Sequence, residues 1–200
     1  LNNNGVKNAT SFGSASSGAM TFIKKLTASS SATLSFVDGS SSVVLDNTYK
    51  EYLFTFNNMH PASDAVNFVF NGSIDSGSNY NVTKTTTFFN AYHFENGSSA
   101  ALTYNASQDL AQSTDFQILE DSVGNDNDQS CVGYLHLFNP SSTTFVKHFI
   151  SSNHRAFSGD ASSENHVAGY FNTTSAIDAV QFKMSSGNID AGDICLYGIN

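Results

Sequence analysis

The side chains best suited to chemistry in this chain are six histidines, His60, His93, His136, His148, His154 and His166. An imidazole can bind a metal or carry a proton near neutral pH. None of the six falls in an HExxH pair or another short zinc spacing. His136 and His148 lie in neighbouring apolar runs, and a hairpin would set them diagonally on one sheet face, within reach of a common water or ion. Interface or partly buried histidines are the simpler expectation, so no metal and no cofactor is assigned.

The carboxylates are equally reserved. Glycoside hydrolysis needs two acids across a cleft, and the glutamates number four, Glu51, Glu95, Glu120 and Glu164. Glu51 sits inside the strand-like run YKEYLF and Glu95 begins a turn, so neither marks a cleft. The most acidic stretch, 121–128 (DSVGNDND), is rich enough in oxygen to suggest calcium. It lacks the EF-hand order of ligands and the closing glutamate, so a solvated loop is expected. Neither a GxSxG elbow nor a GxxxxGK phosphate loop occurs. No catalytic residue is assigned. Sequons stand at Asn8, Asn71, Asn81, Asn96, Asn105 and Asn172, but a chain so rich in Asn, Ser and Thr produces them by chance. Cys131 and Cys195 both lie in apolar runs and read as buried free thiols, with a disulfide left open.

The elements that must position these residues are short. From Met20 onward, apolar runs alternate with Ser, Gly, Asn and Asp clusters, which is the pattern of many strands and turns. Strands are expected at 20–26, 32–37, 42–45, 49–57, 65–71, 83–94, 100–104, 116–119, 131–138, 144–151, 166–171, 179–185 and 193–199. The best helical stretch is short, around 106–112. So many strands imply an all-β, antiparallel sandwich with a jelly roll as the leading topology. Residues 1–18 are polar and glycine-rich and read as an extended N-terminal arm or anchor, leaving 19–200 as one β-sandwich domain.

Composition narrows the partners. The 200 residues carry a formal charge of -9, with 8 basic against 17 acidic side chains, so no footprint for nucleic acid exists. No apolar run approaches the ~20 residues of a membrane helix, so membrane insertion is not expected. Neutral partners such as sugars and protein surfaces remain. Tyr80, Tyr92 and Tyr104, near turns or strand ends, are candidate exposed binding aromatics.

The 131–151 segment makes the clearest hairpin, with its turn in NPSSTT. Centring the turn near Ser141 sets Phe138 against Thr144 and His136 against Val146. One face then carries Tyr134, His136, Phe138, Val146 and His148. The other carries Leu135, Leu137, Phe145, Lys147 and Phe149. Both faces are largely apolar, whereas a strand with one wet face should alternate. The outer face therefore needs a cover. A second copy of the chain supplies one, making Tyr134, His136, Phe138, Val146 and His148 a candidate oligomer interface and a trimer the favoured assembly. Long loops are the other cover.

Three stretches, FNGSIDSGSNYNVTKTTT, GYLHLFNPSSTTFVKHFI and AGYFNTTSAIDAVQFKMSSGNIDAGDICLYGI, together resemble small virion proteins of marine tailed bacteriophages. The likeness runs from Tyr49 to Ile199 and is most specific at the end: Phe182 and Met184, then SSGNIDAG, then LYGI. The resemblance implies a non-catalytic virion structural protein made in the host cytoplasm. It would be displayed as a fibre, decoration or tail-associated subunit, with other virion proteins as partners and a host surface glycan as a candidate receptor. The alternative is a free lectin-like carbohydrate-binding module.

Overall fold

The computed structural model describes residues 19–157 and 159–200. The expected arm at 1–18 lies outside the described residues. The rest is all β, as expected, and forms a sandwich of two antiparallel sheets. The twelve strands are β1 (Met20–Ser31), β2 (Leu34–Val37), β3 (Glu51–Pro61), β4 (Val66–Ser73), β5 (Lys84–Phe94), β6 (Ala100–Tyr104), β7 (Gln117–Val123), β8 (Cys131–Phe138), β9 (Lys147–Phe157), β10 (Ala161–Phe171), β11 (Ala179–Met184) and β12 (Ile189–Ile199).

The large sheet runs β1-β12-β3-β8-β9-β10-β5-β6 and the small sheet β2-β11-β4-β7. First pairs with last, second with second-last, and β3 and β4 then join the inside of each pair. That wrapping is the jelly-roll arrangement. β7, at the edge of the small sheet, packs over β9 and β10, and the hairpin β5-β6 completes the large sheet.

Phenylalanine builds the space between the sheets. Alternate residues Tyr52, Phe54 and Phe56 of β3 point inward and are buried, as are Phe68 and Phe70 of β4 and Phe182 of β11. The Phe182 ring is central: its centroid lies 5.3 Å from Phe54, 5.2 Å from Phe56 and 5.9 Å from Phe68. Such rings bury large apolar areas and interlock edge to face. Cys131 and Cys195 are both buried free thiols.

Several expectations need correction. Residues 42–45 form no strand; Val43 and Leu45 instead plug the core from a connection. The 106–112 stretch forms turns and bends, not a helix. The 131–151 hairpin has a longer turn than expected. Pro140 O accepts from Ile177 N at 2.9 Å and Asn139 N donates to Lys50 O at 2.6 Å, so the connection is stitched to its neighbours and β9 starts only at Lys147. His136 consequently faces Ile150, four residues beyond Val146. The slip is even, so both faces survive it. Val146 drops out of the face, half-buried ahead of β9, and Phe145 is 69% exposed rather than inward.

Candidate functional site

The small sheet covers one side of the large sheet and leaves the other open. Strand alternation decides which residues lie there. Leu135, Leu137 and Phe149 are buried in the core, so Tyr134, His136, Phe138, His148 and Ile150 point away. The register then sets whole rows side by side. One row crosses seven strands: Phe22, Tyr197, Leu53, His136, Ile150, Ala168 and Thr87. Beside it run Thr55, Tyr134, Ser152, His166, Phe89 and Tyr104.

Charge is sparse on this face and ring systems are dense. Phe89 stacks on His166 at 4.9 Å, Tyr134 meets His136 edge-on at 5.3 Å, and His136 stacks on Phe138 at 6.1 Å. Phe22 is 57% exposed, Ile150 50% and Tyr134 41%. Five of the six histidines, His93, His136, His148, His154 and His166, belong to this face. His136 Nδ1 contacts the Glu51 carboxylate, His166 Nε2 lies 3.2 Å from Glu164, and His154 Nε2 lies 2.9 Å from the Ser162 hydroxyl. Among the described residues no cluster of three or more His, Cys, Asp or Glu could hold a metal. Of the five interface residues expected from sequence, the structure brings together Tyr134, His136, Phe138 and His148.

The three candidate tyrosines do not form one site. Tyr104, on the edge strand β6, is 56% exposed on the open face, and its hydroxyl contacts Asp109. Tyr80 is half-buried in the β4–β5 connection rather than exposed. Tyr92 points to the other face of the large sheet, where that sheet projects past β7.

There Tyr92 and Phe94 of β5, with Asn90, Arg155, Ala161 and Ser163, line a hollow of about 230 Å³. Its cause is visible in the pairing. Ser163 sits between Arg155 and Tyr92, and Ala161 pairs with Phe94, so small side chains on β10 form a floor between larger ones. The Tyr92 and Phe94 rings meet edge to face at 5.7 Å. Beneath it, Arg155 Nη1 bonds Glu120 Oε1 at 2.5 Å and contacts Asp121, while Asn165 Nδ2 donates to both carboxylates. Asp121, expected in a solvated acidic loop, belongs instead to this ion cluster. Burial pushes the Glu120 carboxyl well above its ordinary range, against the pull of Arg155.

A second hollow of about 500 Å³, lined by Asn58, His60, Asp128, Gln129, Asp190 and neighbours, lies at the same end of the sandwich. His60 Nδ1 is 2.7 Å from Gln129 O. Met20, where the described chain enters β1, pairs with Ile199 at the opposite end. None of these hollows was legible in the sequence, because each joins residues from distant strands.

Comparison with protein-family models, with curated proteins and with solved structures finds no match to this chain.

Proposed function

We propose that this chain is a non-catalytic structural subunit of a bacteriophage particle, displayed as a fibre, decoration or tail-associated protein, and that it self-associates through the open face of its large sheet. The carrying observation is that face: rows of half-exposed rings and aliphatic side chains across seven strands with few charges between them. Eight strands at about 4.8 Å spacing span roughly 34 Å, room for the about 800 Å² per partner of a specific interface. A large apolar sheet face left in water favours a companion. A homotrimer is the expected assembly. The resemblance from Tyr49 to Ile199 supports the virion setting. The entry of the chain at Met20, opposite the end that carries both hollows, suits an anchor at one end and a displayed tip at the other. The solution mass of the purified chain tests the reading. A trimer is expected, and a stable monomer at tens of micromolar overturns it.

The hollow at Tyr92 favours a second reading, a lectin-like tip that takes a sugar. Two aromatic walls offer a stacking surface, and Asn90, Arg155 and Ser163 offer polar contacts. A glycan array reads this directly: binding lost in Tyr92→Ala supports it, and silence of the wild-type chain at high concentration ends it.

A further inference from the structure

Lys84 opens β5 with a side chain that is wholly buried. Its Nζ lies 2.7 Å from Asn71 Oδ1 and 2.9 Å from Val82 O, beside the Phe171 ring at 5.7 Å. Asn71, on β4 of the other sheet, is equally buried. Its Oδ1 also accepts the Gly72 N–H at 2.8 Å, and its Nδ2 donates to Tyr80 O and Thr114 O, each at 2.9 Å. The carboxamide is thus fixed in one orientation, with its oxygen toward two donors and its nitrogen toward three carbonyls, the third being Asp115 O at 3.4 Å.

We propose that Lys84 and Asn71 are the reacting pair of an intramolecular isopeptide bond between the two sheets. The argument is one of proximity, protonation and water exclusion. A buried ammonium is expensive, and burial pulls Lys84 down to about 7, so much of it is the free amine near neutral pH. The amine nitrogen attacks Asn71 Cγ. Negative charge develops on Oδ1, where the Gly72 N–H already points, as a backbone donor does for any tetrahedral intermediate. The surplus proton on Nζ passes to Nδ2, the C–N bond to Nδ2 breaks, and one ammonia leaves. One C–N bond forms, one breaks, and no oxidant is needed. Asp115, whose charge reaches Lys84, sits two residues beyond Ser113, whose backbone bridges to Lys84. Holding the reactants in one geometry replaces a slow bimolecular encounter, and the dry site removes competing hydrolysis.

Lys147 supplies an internal contrast. It is also buried, with its own affinity for a proton lowered by burial, but its Nζ meets the backbone carbonyl of Thr173 at 3.0 Å and no carboxamide. It has nothing to acylate it.

Intact mass spectrometry of the purified full chain tests the proposal, followed by tryptic digestion in denaturant. The expected wild-type mass is short by one ammonia. Trypsin should then fail to cut after Lys84, since an acylated lysine is not a substrate, giving one fragment from Glu51 to Lys147. Lys84→Arg, which keeps a donor but no nucleophilic amine, should have its full mass. A wild-type chain of full mass that is cut after Lys84 overturns the proposal. So does a deficit that persists in Lys84→Arg, or one accompanied by cleavage after Lys84. Both would mark a succinimide at Asn71–Gly72, which loses the same ammonia without the lysine. The digestion decides even if Lys84→Arg does not fold.

Discussion

Glu120 of β7 and Arg155 of β9 meet at 2.5 Å in the interior, one from each sheet, so an ion pair bridges the sandwich where its apolar core ends. Asp121 shares the same guanidinium, giving two carboxylates to one cation. Glu120 Oε2 and Asn165 Oδ1 are buried without a hydrogen-bond partner. This excess of acceptors explains why burial prevails over Arg155 in raising the Glu120 pKa.

A raised carboxyl pKa has a definite sign. Below pH 4.5, the ordinary value, Glu120 is protonated folded or unfolded, and its contribution is fully present. As pH climbs from there through the folded-state pKa, the unfolded chain releases the proton more readily and stability falls. Glu120→Gln should flatten that decline, leaving neutral-pH stability within about 1 kcal/mol of wild type or above it. Urea titrations from pH 4 to 8 measure it. A loss of about 3–5 kcal/mol would instead mean that a needed buried ion pair had been broken.

Phe182 touches rings from β2, β3 and β4, so it locks both sheets at once. Phe182→Ala should cost about 3–5 kcal/mol, because so many fixed rings cannot collapse into the space. Phe145→Ala, a ring of the same size but 69% exposed outside the strands, should change stability by at most about 0.5 kcal/mol. Thermal or urea unfolding of the two variants measures the contrast.

Gly133 lies within β8 with φ 156°, and a methyl group there would stand 2.5 Å from Ser152 O and 2.7 Å from Asn153 Cα of β9. Backbone cannot step aside cheaply in a sheet. Gly133→Ala should destabilise by about 1–3 kcal/mol and raise amide exchange in β8 and β9. Unchanged exchange there would show that the sheet absorbs the methyl.

Ile150 stands on the open face, 50% exposed, opposite His136. Ile150→Glu should convert the expected oligomer to monomer while leaving the unfolding midpoint of the isolated domain within about 0.5 kcal/mol. Sedimentation and unfolding on the same sample separate the two effects. An intact oligomer would place the interface elsewhere.

Much of the fold was legible because its signals are local. Short apolar runs such as YLFTF and NFVF, and the Asn, Asp, Gly and Ser clusters between them, dictate strands and turns within a few residues. The exceptions are instructive. Val43 and Leu45 look like a strand because burial and strand pairing favour the same apolar residues, yet here they bury without pairing. The hairpin register slipped because the turn is held by Lys50 and Ile177, which the local sequence of the turn does not name.

The sequence by itself therefore determined the all-β class and the two-sided apolar character of β8 and β9, since apolar runs and composition act over short range; that both cysteines stay free was decided by the fold. The tertiary structure alone decided that Asn71 meets Lys84, that Glu120 meets Arg155, and that Tyr92 and Ser163 share a hollow. Those meetings depend on which strands become neighbours. In a jelly roll that is set by pairings between first and last, second and second-last, and no local pattern encodes them.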